Sequence, residues 1–96
     1  MEQLTLFEQD LINALCLYHA RYKHIAPDEV EVELIFDDIS GYSADVFVDG
    51  QTMQYDTSNF IKAIRMYLDE ELSIDPMSAR ISFEIDRREG MIAHIL

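Results

Sequence analysis

Cys16, His19, His24 and His94 are of the types that bind metals or move protons, so their spacing comes first. Cys16 and His19 are three apart, which makes them neighbours on one face of a helix. Structural zinc usually takes four ligands in closely spaced pairs. No second Cys or His pair exists in the chain, so no metal site is expected. Cys16 falls among Leu11, Ile12 and Leu15, where a free cysteine behaves as a small hydrophobe. His24, at the end of the same segment, suits the negative end of a helix dipole. Carboxylates are abundant, and Asp37 with Asp38, or Glu31 with Glu33, could be paired as acid and base. Such a pair needs contrasting environments and a pocket, and loop tips and open strand faces supply neither. Gly41, Gly50 and Gly90 stand singly, so no loop is built to cradle phosphate. No Ser–His–acid or Cys–His signature is present. The chain is read as having no catalytic residues and no cofactor, and as not an enzyme.

The elements that must carry these residues follow from periodicity. Phe7, Leu11, Leu15, Tyr18 and Tyr22 recur at helical spacing, and Thr5 with Glu8 matches a capping box. A helix is predicted from Thr5 to Lys23, stopped before Pro27. Val30, Val32, Leu34 and Phe36 alternate as one face of a strand. Ala44, Val46 and Val48 form a second, and Gln51–Tyr55 a third. Asp49-Gly50 is a two-residue hairpin signal, pairing Val48 with Gln51, Val46 with Met53 and Ala44 with Tyr55. Ile39-Ser40-Gly41 reads as a three-residue loop that pairs Leu34 with Val46. A second helix is predicted from Ser58 to Leu72, capped by Asp56, Thr57 or Ser58. Its buried stripe is Phe60, Ile61, Ile64, Tyr67 and Leu68, while Lys62 and Arg65 face water. Ile81, Phe83 and Ile85 form a fourth strand. Arg88-Glu89-Gly90 repeats the three-residue loop, pairing Ile85 with Ala93 and Phe83 with Ile95. The fifth strand, MIAHIL, is nearly all apolar, as suits a strand covered on both sides.

A single α+β domain over residues 1–96 is expected, in two layers. Both helices pack on one face of a five-stranded, mainly antiparallel sheet, in strand order 3-2-1-5-4. These registers send Ile35, Phe47, Ile92, His94 and Leu96 to the face away from the helices. Glu31, Glu33, Asp45, Thr52, Gln54 and Glu84 share that face. An apolar patch ringed by acids is a candidate interface, and a homodimer through the open sheet face is expected.

Charge narrows the partners. Nineteen acidic residues against seven basic ones leave a net charge of −12 over 96 residues. Such a field repels nucleic-acid phosphates and anionic lipid headgroups, so neither nucleic acid nor membrane is an expected partner. With 49% apolar residues the chain has material for a core. One cysteine allows no internal disulfide, which suits a reducing compartment. The start, MEQLTLFEQD, has no basic n-region or long apolar run, so a cytoplasmic location is expected.

The segments EQDLINALCLYHA, VEVELIFDD, GYSADVFVDG and REGMIAHIL resemble the YxcD-like family of small uncharacterised bacterial proteins. The resemblance covers nearly the whole chain and implies a bacterial cytoplasmic origin. It implies no activity and no functional residues. The helix–three strands–helix run also shares its topology with double-stranded RNA binding domains, but acids stand where those domains need bases. The leading expectation is a non-catalytic interaction module that self-associates or binds an unknown protein partner. The alternatives are a small-molecule binder or enzyme with a pocket at the helix–sheet or oligomer interface, and an acidic decoy of a nucleic-acid-binding protein.

Overall fold

Leu4 and Leu6 alternate with Thr5, and pairing with the last strand makes that short segment the first described element. The computed structural model describes residues 4–96. Leu4–Leu6 form a strand, β1, in which Thr5 pairs with His94 instead of capping a helix. The first helix, α1, therefore spans Glu8–Lys23 and not Thr5 to Lys23. Its cap is Phe7, whose backbone N–H donates to Asp10 Oδ2 at 3.0 Å. Glu8 Oε2 accepts the Met91 N–H at 3.2 Å and ties the helix start to the last strand. The strand wins because it completes two apolar rows, Leu4–Ile95–Ile81 and Leu6–Ala93–Phe83. Burying those side chains outweighs a cap of about 1 kcal/mol.

After a 3-10 turn at Pro27–Glu29 come β2 (Glu31–Asp37), β3 (Gly41–Val48) and β4 (Gln51–Tyr55). Helix α2 (Thr57–Leu72), β5 (Ile81–Asp86) and β6 (Gly90–Ile95) complete the chain. The class is α+β, but the five-stranded sheet in the order 3-2-1-5-4 does not form. Two separate three-stranded antiparallel sheets form instead, β2–β3–β4 and β1–β6–β5. The apolar C-terminal strand is central, as its composition implies. Its second neighbour is β1, and with that edge taken β2 has no place beside it.

The β3–β4 register is the one the Asp49-Gly50 turn predicts. The other two hairpins keep the predicted faces but slip along the strand. Leu34 pairs with Ala44, not Val46, and Phe83 with Ala93, not Ile95. In both, the glycine opens the second strand instead of closing the loop: Asp37 faces Gly41 and Asp86 faces Gly90. Both glycines hold positive φ, +79° and +76°. Asp37 Oδ1 accepts the Ile39 and Ser40 N–H groups at 2.6 and 3.2 Å, and Asp86 Oδ2 accepts those of Arg88 and Glu89 at 2.9 Å. These bonds favour the ionised form and hold both carboxyls below their ordinary pKa. The turn is thus one device used twice, Asp-x-x-x-Gly. Because the slip is even, every side chain stays on its predicted face.

Asp56 caps α2, accepting the Asn59 N–H at 2.9 Å. Phe60, Ala63, Ile64, Tyr67 and Leu68 are its buried residues, and Ile61 is only half-buried. Arg65 does not simply face water. It is half-buried and donates to the carbonyls of Pro76 and Ala79, pinning the loop before β5. Helix α1 packs on α2 and touches β2, β3 and β6, while α2 touches β3 and β4. Residues of both helices and both sheets share one core, including Leu11, Leu15, Phe60, Val46, Met91 and Ile95. Rings join the sheets within it. Tyr42 of β3 stacks on Phe83 of β5 at 4.8 Å, and Phe60 lies 5.1 Å from Phe83. No helix of the described residues is long and apolar enough to cross a membrane.

Candidate functional site

Cys16 and His19 leave α1 in different directions. Cys16 is half-buried, and its thiol donates to the Val30 carbonyl at 3.6 Å. It lines an open groove of about 390 Å³ with Asn13, Pro27, Asp28, Tyr67 and Glu71. Burial pushes the thiol pKa up, away from the reactive thiolate. Among the described residues, no group of three or more His, Cys, Asp or Glu is placed to hold a metal ion. Cys16→Ala is expected to cost about 1 kcal/mol through lost packing, with no change in bound metal. Thermal unfolding with elemental analysis checks this; zinc bound stoichiometrically and lost in the variant would contradict it.

His19 is 2% exposed, and its Nδ1 lies 2.9 Å from the Tyr55 hydroxyl. Helix α1 brings the histidine and the end of β4 brings the tyrosine. Tyr18 closes the pair edge-on, 6.0 Å from the Tyr55 ring. Burial, with the Tyr18 and Tyr22 hydroxyls nearby, pushes the Tyr55 pKa up to about 12. Burial first, then the Lys23 charge, lowers that of His19. Tyr55 is therefore a neutral phenol and His19 a neutral imidazole at neutral pH. Beside His19 opens a cavity of about 260 Å³, lined by Lys23, Ile25, Val48, Asp49 and Met53 among others. Periodicity placed Tyr55 on the core face, but nothing local links it to His19. The available signal was that a tyrosine and a histidine bound for the core must each find a polar partner.

The candidate interface residues divide between the sheets. On β2–β3–β4, the rows on the face away from the helices are Glu31–Phe47–Thr52, Glu33–Asp45–Gln54 and Ile35–Ser43, the last with Ser43 buried. Ile35 and Phe47 are both half-buried and share this face as expected. The acidic row lies between them, so they stand four residues apart, roughly 13 Å along the strand. Ile92, His94 and Leu96 belong to the other sheet or follow it. Ile92 is 5% exposed in the single chain and lies outside the main core, so it is not an exposed apolar residue. His94 sits between Thr5 and Ser82, with Nε2 2.6 Å from Glu84 Oε1. Leu96 is 39% exposed, and its backbone pairs with Arg80. No single outward patch is formed by all five residues, because they do not share a sheet.

This two-sheet arrangement can be set beside known proteins. A family model described as "Protein of unknown function (DUF2653)" matches residues 1–88. The chain belongs to the DUF2653 family. It is also similar to the uncharacterized protein YxcD of Bacillus subtilis (strain 168), 25% identical over 92 residues. That match covers 95% of this chain and 90% of the relative. The resemblance carried by the sequence segments is thus confirmed over nearly the full length. No solved structure matches the chain. Membership of DUF2653 supplies a bacterial homologue and no activity, so function has to be argued from the surface itself.

Proposed function

We propose that this chain is a non-catalytic interaction module whose docking face is the outward side of β2–β3–β4, and that its partner is a protein surface with basic residues around an apolar centre. The observation that carries the reading is the Glu33–Asp45 row set between Ile35 and Phe47. Like charges directly opposite each other across strands are destabilising. A face that places them between two apolar side chains gains from a cationic partner. Glu31, Glu33, Thr52 and Gln54 on this face are exposed. The net charge of −12 steers such a partner in. A second copy of the chain fits less well, because a two-fold axis would set the acidic row against itself.

The test is capture by the wild type and by Phe47→Glu and Asp45→Lys, with light scattering on each. The expected result is a monomer that captures one protein stoichiometrically. That capture weakens at high salt and is lost in both variants. Equal capture by all three proteins would overturn the reading. So would a wild-type dimer that salt strengthens and Phe47→Glu dissolves, since that assigns the face to self-association.

A further inference from the structure

We propose that the cavity between the C-terminal end of α1 and the β3–β4 hairpin binds a small organic monoanion, a carboxylate on a short apolar body, held by His19 Nε2–H and Lys23. This reading is independent of the outward-face reading and fails or stands separately. It starts from the Tyr55 proton. The hydroxyl of Tyr55 is buried with its residue, 2% exposed, and its one hydrogen-bond partner among the described residues is His19 Nδ1. A buried phenol proton needs an acceptor, so Tyr55 donates and Nδ1 accepts. In a neutral imidazole the proton then resides on Nε2. The tautomer is set by the second nitrogen's hydrogen bond, as for histidines held by a neighbour.

That leaves Nε2–H as a donor with no partner among the described residues. Every fully buried side-chain nitrogen and oxygen there has one, so Nε2 reaches the small accessible part of His19. His19 lines the cavity, and it is there that Nε2–H is taken to open. A histidine buried to this degree, with one nitrogen satisfied and the other offered to a cavity, is a built donor.

The rest of the lining sets the ligand class. Lys23 supplies one positive charge, and Ile25, Val48 and Met53 supply apolar wall. One N–H donor and one ammonium match one carboxylate. A phosphate dianion is a poorer match, because Asp49 shares the lining and the whole chain carries −12. At about 260 Å³ the cavity lies just under the range of roughly 300–1,000 Å³ for drug-sized ligands. A short chain fits it, and a nucleotide does not.

Butyrate is the probe, with butyramide and butylamine as isosteres lacking the negative charge. Protein labelled with 15N at histidine reports both the tautomer and the binding. The expected spectrum shows His19 protonated at Nε2 and not at Nδ1. Butyrate shifts that resonance saturably, and the two isosteres bind at least fivefold more weakly. Lys23 is exposed, so Lys23→Gln keeps the fold and weakens butyrate at least fivefold. Protonation at Nδ1, a non-saturating shift, or equal response to butyrate and butyramide would each overturn the proposal.

Discussion

Phe60→Ala lowers stability by about 3–5 kcal/mol, the range for removing a fully buried aromatic side chain. Phe60 is 0% exposed, and its ring meets Phe83, which in turn stacks on Tyr42. It therefore sits where α2 and strands from both sheets converge. The loss includes the transfer of the ring and the cavity left between two layers that share no backbone hydrogen bonds across the ring contact. Typical domains have only about 5–15 kcal/mol in total, so the variant stands close to unfolding at room temperature. Urea denaturation reads this as a fall in midpoint at unchanged slope. Phe36→Ala serves as comparison, since Phe36 is 46% exposed and flanks the same stack through Tyr42. If the two variants lose the same amount, Phe60 is not the ring that joins the sheets.

Tyr55→Phe is expected to cost about 1–3 kcal/mol at pH 8, because it strands the buried Nδ1 of His19 without a donor. The ring remains, so little of this is lost volume. The same pair gives a pH dependence with a definite sign. The His19 pKa is lowered in the folded chain from its ordinary 6.5, by burial and then by the Lys23 charge. Below pH 6.5 the unfolded chain therefore takes up the proton more readily than the folded one. The stability associated with neutral His19 is complete above that value and is lost as the pH falls through the folded-state pKa. Around the ring lie Tyr55 at Nδ1, Tyr22 with its ring 6.0 Å away, and Lys23, Asp49, Gln51 and Thr52, which line the cavity with it. His19→Gln should flatten the curve of stability against pH between neutrality and mild acid. A wild-type curve that parallels the His19→Gln curve over that interval would show that His19 does not carry the effect.

The distribution of legible and illegible features has a simple physical pattern. Features set by neighbours a few residues apart were readable. Helix α2, with Asp56 among its three candidate caps, the Asp49-Gly50 register and the core face of every hairpin strand follow from local spacing and turn chemistry. The two Asp-x-x-x-Gly hairpins were readable as turns, and their faces survive because strand side chains alternate with a period of two. Their exact pairing was not readable, because Asp37 and Asp86 hold the loop N–H groups one residue earlier than glycine position alone suggests.

Composition, charge, periodicity and turn residues by themselves determined an acidic α+β chain of two main helices and five of the six strands among the described residues. They also determined which side of each hairpin faces the helices. Only the tertiary structure decided that Leu4–Leu6 is a strand, that the sheet divides in two, that Arg65 holds the loop before β5, and that His19 meets Tyr55. Each of those rests on partners far apart in the chain: Leu4 with Ile95, Arg65 with Ala79, His19 with Tyr55. A three-residue alternation or a single polar side chain carries too little local free energy to choose its own conformation. Its partner settles the choice, by supplying the apolar area or the hydrogen bond that the segment alone lacks.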